Sequence, residues 1–104
     1  MKAHLIYITT RDMDEARTIG RSLVASHLVA CVNIFGGMES IYYWADELQE
    51  DHEVVLIAKT TENFVPEVIE AVRRQHSYDC PCIVSFAIEQ GHTEYLDWIV
   101  EQVR

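Results

Sequence analysis

Residues that interrupt regular structure are scarce in this sequence, which has only 4 glycines and 2 prolines among its 104 residues. Flexible linkers and low-complexity segments depend on such residues, so the sequence predicts a single domain over residues 1–104. Basic residues are scarce too, because 8 lysines and arginines stand against 17 aspartates and glutamates, giving a net charge of −9. Nucleic acids and anionic membranes bind basic surfaces, and neither is therefore expected as a partner.

Cysteines and long apolar segments are also few in this sequence. The chain has 3 cysteines, an odd number that argues for free thiols or metal ligands and against a disulfide framework. Its opening segment, MKAHLIYITTRD, contains an apolar run too short for a signal peptide or a membrane anchor. We therefore expect a cytoplasmic location. Because no G-x-S-x-G, P-loop or H-E-x-x-H motif occurs, we expect neither enzymatic activity nor an organic cofactor.

The segment from Ala30 to Thr61 dominates the sequence, because its pattern is that of two unusually long β-strands. β-Branched and aromatic residues fill Ala30–Trp44, and an apolar run lies within Glu47–Thr60, with Ala45-Asp46 as a turn between them. The pair Gly36-Gly37 predicts a bulge or bend partway along the first strand. Strands of about 15 residues span roughly 50 Å, whereas a domain of this size has a radius of gyration of only about 13 Å.

The predicted hairpin is therefore expected to project beyond its own core. Tyr42, Tyr43 and Trp44 lie at its far end, where water and unpaired strand edges would surround them in a monomer. We therefore expect another copy of the chain to cover this region, with these three aromatic residues in the interface between subunits; stacking on a ligand is the alternative role for them.

Shorter periodic segments on either side of the hairpin complete the predicted fold. They are a strand at Lys2–Thr9, a helix from the capping residue Asp12 to His27-Leu28, a helix from Thr61 or Asn63 to His76, a strand at Cys82–Glu89 and a helix from Thr93 to Val103. The order β-α-β-β-α-β-α, with right-handed crossovers, places both main helices on one face of a four-stranded sheet. The predicted fold is a ferredoxin-like α+β sandwich with an extra C-terminal helix and a long β-hairpin.

The segment HSYDCPC, residues 76–82, is the clearest candidate for metal chemistry. Cys80 and Cys82 project to the same side of an extended backbone, and His76 lies beside them, so the three could bind a soft metal such as Cu(I) or Zn²⁺. A lone C-x-C pair is a weak signal, and packed thiols are the slightly favoured interpretation of the two cysteines. For His76, a cation at the end of a helix is an equally acceptable role.

Two further groups of residues have simple structural interpretations. Cys31 stands among the apolar residues Val29, Ala30 and Val32 and is predicted to be a packed, unreactive thiol. The acidic residues near the hairpin turn match no calcium-binding loop and are predicted to form a solvated face, which comprises Asp46, Glu47, Glu50, Asp51 and Glu53.

Six short blocks distributed over the chain carry a family resemblance. They are LVACVN (28–33), SIYYW (40–44), EVVLIAKT (53–60), HSYD (76–79), EQG (89–91) and YLDW (95–98). Their content and spacing resemble the CutA1 family, the divalent-cation tolerance proteins. The resemblance implies a ferredoxin-like subunit in a tight homotrimer, close in architecture to the PII signalling proteins. It also implies clefts between subunits, with Lys59, Tyr78 and Glu89 among the lining residues.

The resemblance further implies a role in tolerance of copper or other divalent metals, without enzymatic activity. The copper site proposed for bacterial members would fall at Ile8, Gln75 and His76 here, so only His76 is retained. Two functional hypotheses follow. One is a trimeric, non-catalytic protein that binds copper or another divalent transition metal. The other is a PII-like sensor or scaffold that binds a small molecule or a partner protein in its clefts.

Overall fold

Four strands and three helices make up the fold of this protein, whose computed structural model describes residues 1–104. The strands are β1 (Ala3–Thr10), β2 (Cys31–Trp44), β3 (Glu47–Thr61) and β4 (Ile83–Ala87), and the helices are α1 (Met13–Ala25), α2 (Val65–Gln75) and α3 (Thr93–Gln102), with a 3₁₀ turn at Glu62–Phe64. The strands form one antiparallel sheet in the order β2-β3-β1-β4. The predicted α+β class, the element order and the four-stranded sheet are confirmed.

The main core lies between one face of the sheet and helices α1 and α2. Alternating strand residues on this face are buried, and so are the helix residues that meet them at helical spacing. This cluster comprises Ile6, Ile8, Ile19, Leu23, Val29, Leu56, Ala58, Val68, Ala71 and Val72. A smaller cluster packs Ile99 and Val103, at the C-terminal end of the chain, against Ala3 and Ala30. Because Ala3 alternates with the core residues of β1, α3 lies over one end of the opposite sheet face.

Helix α1 begins and ends with specific hydrogen bonds. Asp12 caps its N-terminus as predicted, since Oδ1 accepts a hydrogen bond from the Glu15 backbone N–H at 2.8 Å. This bond is the main reason that the pKa of Asp12 lies below its ordinary value. At the other end His27 has a φ of 61°, and the Leu28 N–H bonds to the carbonyl of Leu23. The helix therefore stops with a Schellman motif at the predicted position.

Helix α2 and strand β4 differ in detail from the prediction. Neither Thr61 nor Asn63 caps α2 with its side chain, because a 3₁₀ turn intervenes and the helix itself begins at Val65. Strand β4 is shorter than predicted, since Cys82 and Ile88-Glu89 lie outside Ile83–Ala87. None of the three helices combines the length and the apolarity that crossing a membrane requires.

The far half of the β2–β3 hairpin projects from the domain as a two-stranded arm. Strand β1 pairs with β3 only from Val54 to Thr61, so Met38–Trp44 and Glu47–Glu53 pair only with each other. We call these two segments the arm. The molecule measures 45 Å along its longest axis against 25 and 22 Å along the others, which confirms the projecting hairpin. Because an isolated two-stranded hairpin is marginally stable in water, the arm is the part of the fold that gains most from further packing.

Two backbone irregularities shape the hairpin. The pairing register of β2 and β3 shifts between Phe35 and Met38, where Gly37 has a φ of 78°, so the predicted bulge is confirmed. In the turn, Ala45 and Asp46 both have positive φ, 52° and 63°. Positive φ at both central residues defines a type I′ turn, which fits the strand twist but favours Asn-Gly. The Ala45 backbone is therefore strained, because its Cβ is unfavourable in the left-handed region.

Relieving this strain is expected to stabilise the protein. The double substitution Ala45→Asn/Asp46→Gly should raise the free energy of unfolding by about 1–2 kcal/mol. Thermal unfolding at a fixed protein concentration measures the change. The matched control is Ala87→Gly in β4, where φ is not positive and glycine only adds freedom to the unfolded chain, so stability should fall. An unchanged melting temperature in the double variant would show that the turn is not strained.

The sheet face opposite α1 and α2 is largely uncovered beyond α3. Cross-strand pairing places Phe86, Val84 and Phe35 on this face, and they are 57%, 43% and 54% exposed. Leu5 and Tyr7, which pair with the first two, are half-buried between them. A contiguous apolar surface of this kind is typical of an interaction surface rather than of a monomer in water.

Candidate functional site

A cleft of about 370 Å³ lies where the arm leaves the sheet. The arm forms one wall, and the loop between α2 and β4, residues 76–82, forms the other. The lining residues are Thr9, Tyr42, Trp44, Glu53, Tyr78, Asp79, Cys80 and Cys82. The cleft therefore brings together three residues to which the sequence assigned a binding role, namely Tyr78, Cys80 and Cys82.

Glu15 fastens the 76–82 loop to the start of α1. Its carboxylate accepts hydrogen bonds from two backbone N–H groups, those of Arg11 at 2.8 Å and of Ser77 at 2.9 Å. Burial acts to raise the pKa of Glu15, but these two donors outweigh it, and the pKa lies below its ordinary value. The loop is thus held by a charged group that is only 9% exposed.

His76 fastens the same loop to the end of β1. Its Nε2 lies 2.7 Å from the carbonyl oxygen of Thr9, and the Tyr78 backbone N–H donates to its Nδ1 at 3.1 Å. A carbonyl only accepts and an N–H only donates, so these two contacts call for a proton on Nε2 and a lone pair on Nδ1. In this arrangement both ring nitrogens are engaged by the backbone, and His76 does not line the cleft.

Glu53 is the buried charge of the cleft. It is 8% exposed, and its Oε2 accepts a hydrogen bond from the Tyr78 hydroxyl at 2.8 Å. Burial, followed by this bond, raises the pKa of Tyr78 well above its ordinary value, so the phenol remains a donor. The predicted solvated face is therefore wrong for Glu53, which the loop covers. The four other acidic residues near the turn are exposed as predicted.

The cysteines of the C-P-C pair lie together in the cleft and are both exposed. The expectation that Cys82 begins a buried strand is wrong, because β4 starts one residue later and α3 does not reach this end of the sheet. Desolvation of its thiol, and after it the charge of Glu53, raises the pKa of Cys82. Binding of a metal to this sulfur must therefore displace a firmly held proton.

Lys59 and Glu89, which the family resemblance groups with Tyr78, lie elsewhere in the subunit. Lys59 Nζ donates a hydrogen bond to Asn33 Oδ1 at 2.6 Å. Glu89 accepts one from Lys2 Nζ at 2.9 Å on the surface. Within a single chain, neither residue lines the cleft that contains Tyr78.

Cys31 lies outside the cleft and is half-buried rather than fully packed. Its Sγ is 3.5 Å from the Tyr95 hydroxyl and 3.9 Å from Lys59 Nζ. The bond to Cys31 is the first cause of the raised pKa of Tyr95, whose ring stacks on Trp98 at a centroid distance of 5.6 Å. Cys31 therefore lies apart from Cys80 and Cys82, and a Cys31 variant can serve as the control for variants of that pair.

The three aromatic residues predicted to form the subunit interface are divided between the two faces of the arm. Tyr42 and Trp44 line the cleft, and the Tyr42 hydroxyl donates to Asp51 Oδ2 at 2.6 Å. Because side chains alternate along a strand, Tyr43 points to the other face together with Ile41. These two residues are 73% and 67% exposed. The uncovered apolar surface at the tip of the arm is therefore centred on Ile41 and Tyr43.

Two functional side chains of the site were not identified from the sequence. The S/T/D-x-x-E pattern assigns Glu15 to a capping box, but its carboxylate reaches Arg11 and Ser77 instead of the Asp12 N–H. No sequence signal connects residues 15 and 77. For Glu53 a signal existed, since it immediately precedes the buried run of β3 and is therefore adjacent to the core.

Removing the Glu15 charge is expected to loosen the 76–82 loop. In Glu15→Gln one of the two backbone donors loses its acceptor, which should cost about 2 kcal/mol of stability at neutral pH. Because the folded-state pKa of Glu15 is lowered, its contribution is complete above about pH 5 and is lost as the pH falls through that pKa. Urea unfolding from pH 3 to 7 should show a smaller acid-dependent loss in the variant. Glu67→Gln, an exposed carboxylate in α2, is the control, and equal pH profiles in both variants would contradict this role.

Comparison with known proteins decides the family of the chain. The profile of the CutA1 divalent ion tolerance protein family matches residues 4–102. The chain belongs to the CutA1 family. The resemblance inferred from the sequence blocks is thereby confirmed, and with it a general role in tolerance of divalent cations. The family name refers to tolerance and to no enzymatic reaction.

Relatives of this CutA1 chain occur in bacteria, archaea and plants. The divalent-cation tolerance protein CutA of Thermus thermophilus is 44% identical over 97 residues, which cover 93% of this chain and 94% of the relative. The protein of the same description from Archaeoglobus fulgidus is 40% identical over 100 residues, 96% of this chain and 97% of the relative. The chloroplastic protein CutA 1 of Oryza sativa is 34% identical, and the match covers 96% of this chain but 56% of that longer protein.

Solved structures of the family share the fold of this chain. The Thermus thermophilus divalent cation tolerance protein superposes with a TM-score of 0.95 at 42% identity, covering 98% of this chain and 99% of that one. CutA1 from Oryza sativa gives a TM-score of 0.97 at 33% identity, with 100% and 95% coverage. The Archaeoglobus fulgidus protein, described as periplasmic, gives 0.95 at 39% identity, with 98% and 99% coverage.

The positions of the copper site implied by the family resemblance are occupied differently in this CutA1 chain. Ile8 is fully buried in the core. Gln75 donates from Nε2 to the Ala71 carbonyl of its own helix at 3.1 Å. His76, the residue retained, bonds to Thr9 as described above. Ile8 therefore supplies no metal ligand and the Gln75 amide donates to its own helix, while the thiols of this chain stand at other sequence positions, Cys80 and Cys82.

Proposed function

We propose that this CutA1 protein is a non-catalytic homotrimer that binds copper, or another soft transition metal, as part of tolerance to metal ions. The observation that carries the proposal is the presence of two thiols, Cys80 and Cys82, in one cleft of a chain with a net charge of −9. Thiolates are soft ligands that favour soft metals such as Cu(I) and Zn²⁺. The acidic surface attracts cations towards the cleft.

The proposed ligand set is the thiolate pair. No three His, Cys, Asp or Glu side chains are grouped closely enough to hold a metal ion, and Cu(I) is the ion that accepts two thiolates alone. His76 was predicted as a third ligand, and it would have to release the Thr9 carbonyl before it could bind a metal. The backbone N–H of Tyr78 would lose its acceptor if Nδ1 were the ligating atom.

Two surfaces support the proposed trimer. The uncovered sheet face and the outer face of the arm both expose large apolar side chains that a monomer would leave in water. The arm has free edges and no partner within its own chain, so strands of neighbouring subunits could pair with it. The strand order β2-β3-β1-β4 is the order expected of a ferredoxin-like subunit and supports that part of the proposal.

Native mass spectrometry of the reduced protein tests both parts of the proposal. The protein is measured alone and with one equivalent of Cu(I) per chain. We expect a trimer that takes up three copper ions. A trimer that takes up no copper would overturn the metal site alone, whereas a monomer would overturn the assembly.

A second candidate function is a PII-like trimer that binds a small molecule or partner protein. The cleft itself favours it, because a volume of about 370 Å³ with aromatic walls is of the size that small-molecule sites have. In that assembly Lys59 and Glu89 would belong to sites completed by a neighbouring subunit.

We also propose a cytoplasmic location, which the three free thiols support. Fractionation of the cells that make the protein tests the location.

A further inference from the structure

Two oppositely charged side chains of strand β3 have no charged partner within their own chain. Glu53 is 8% exposed and accepts one hydrogen bond, from the Tyr78 hydroxyl at 2.8 Å. Lys59 is half-buried, and its Nζ donates at 2.6 Å to the neutral amide oxygen of Asn33. Neither residue belongs to an ion pair of the chain. Because a buried charge is costly unless an opposite charge compensates it, both residues call for a partner.

These two side chains point to the same face of the sheet but cannot reach each other in one subunit. Side chains alternate along β3, so Glu53 and Lys59 both lie on the face opposite α1 and α2. Six positions along a strand span roughly 20 Å, which is too far for contact. Lys59 is also the only lysine or arginine in the four strands. The largely uncovered face therefore carries one cation, and the buried carboxylate lies far from it.

We propose that Lys59 of one subunit enters the cleft of the next subunit and pairs with Glu53 there. The inference rests on the proposed trimer and commits the cleft to a second copy of the chain. Charge complementarity supports it, because the cleft is lined by the carboxylates of Glu53 and Asp79 and by no lysine or arginine. In a cyclic trimer each interface joins two different patches of the subunit. One pair at each interface then compensates both charges of every subunit.

The pair makes the cleft a composite site of two subunits. Glu53 lines the same cleft as Cys80 and Cys82. One Cu(I) ion with two thiolates carries a net negative charge, and this charge would lie close to two carboxylates. The ammonium group of the neighbouring subunit's Lys59 offsets part of the accumulated negative charge. The metal cleft is therefore complete only in the trimer, and copper binding and assembly strengthen each other.

A double-mutant cycle on the metal-free protein tests the pairing. Lys59→Met and Glu53→Gln each remove one charge and keep the approximate shape of the side chain. Exchange of subunits between unlabelled and isotope-labelled trimers, followed by native mass spectrometry, measures how firmly the subunits are held. Each single variant should exchange more than about 30-fold faster, because it leaves the opposite charge buried and unpaired. The double variant should exchange more slowly than either single variant, because neither charge remains.

Two controls show whether the effect belongs to this pair. Arg73→Met/Glu70→Gln removes an exposed ion pair within α2 and should leave the exchange rate unchanged. Asp51→Asn removes a carboxylate on the same face of β3 and should show no coupling to Lys59→Met. Coupling to Asp51 in place of Glu53 would overturn the proposal. So would a double variant whose acceleration is the product of the two single effects. A monomeric native protein would overturn the assembly itself, a different result from a trimer with independent effects.

Chemical cross-linking tests the same contact if Glu53→Gln fails to fold. A carbodiimide joins an amine to a contacting carboxylate as an amide, taking up the water that is lost. Mixed trimers of unlabelled and isotope-labelled chains are cross-linked, digested and analysed by mass spectrometry. We expect peptides in which Lys59 of one isotope is joined to Glu53 of the other. Lys59 joined only to other carboxylates, or only within its own chain, would overturn the proposal.

Copper affinity tests the counter-charge role of Lys59. Lys59→Met should weaken Cu(I) binding about tenfold, the size of effect that groups supporting metal ligands have. Lys59→Arg keeps the charge and should restore most of the affinity. In the native protein, Cu(I) should slow subunit exchange. Unchanged affinity in Lys59→Met would overturn the counter-charge role. A native trimer that takes up no copper would overturn the metal proposal, while the exchange cycle still decides the ion pair.

Discussion

Replacing Ile41 and Tyr43 with aspartate is expected to convert the proposed trimer into monomers. These residues are 67% and 73% exposed on the outer face of the arm, and nothing in their own chain covers them. Burying an aliphatic or aromatic side chain stabilises an interface by about 1.5–3 kcal/mol. Each of the three subunits of the trimer loses this contribution at both positions. Unpaired carboxylates buried in their place add a larger cost. The protein concentration at which trimers form should therefore rise by more than about 100-fold.

Size-exclusion chromatography with light scattering measures this effect at several protein concentrations. Glu39→Ser is the matched control, because residue 39 lies on the same face of the arm and is already polar and exposed. It should leave the mass unchanged. A trimeric Ile41→Asp/Tyr43→Asp variant would show that the arm is not an intersubunit element and that the uncovered sheet face alone holds any oligomer together.

Replacing Cys80 and Cys82 with serine is expected to abolish tight binding of Cu(I). Both thiolates of the proposed site are removed at once, and serine hydroxyls are poor ligands for a soft metal. Changes to groups that only support metal ligands already cost 10–100-fold in affinity, so loss of both ligands should cost more than about 100-fold. Competition with a chromogenic Cu(I) chelator measures the affinity in the reduced protein.

Two further variants decide which groups hold the copper. Cys31→Ser removes the third thiol, which lies outside the cleft beside Tyr95, and should leave the affinity unchanged. His76→Asn removes the predicted third ligand, whose nitrogens are engaged by the backbone, and is expected to lower the affinity far less than the double cysteine variant. A large loss in Cys31→Ser or His76→Asn, with little loss in the cysteine pair, would place the metal elsewhere.

Local sequence patterns predicted most of the fold because the responsible interactions are themselves local. Alternation in β2 and β3, the glycine pair at the bulge and the Asp12 cap each depend on residues close in the chain. The projecting arm was predicted because strands of about 15 residues are longer than a domain of this size is wide. The cap of α2 was not predicted correctly, because a 3₁₀ turn shifts the helix start beyond the candidate residues.

The site was less predictable because its contacts join distant residues. Tyr78 and Glu53 are 25 positions apart, and Glu15 and Ser77 are 62 apart. No spacing rule links such pairs. The pattern of acidic residues near the turn suggested a solvated face, and Glu53 departs from it only because the 76–82 loop folds over it. The C-P-C pair was recognised from its spacing, but its exposure in a cleft depends on where β4 begins.

X-ray absorption at the copper edge of the Cu(I)-loaded protein tests the proposed metal centre most directly. Two sulfur ligands from Cys80 and Cys82 predict a first shell of sulfur alone. The Cys31→Ser variant should give the same spectrum, because its thiol does not line the cleft. A first shell dominated by nitrogen or oxygen would contradict the account, since it would assign the copper to histidine or carboxylate groups rather than to the thiolate pair.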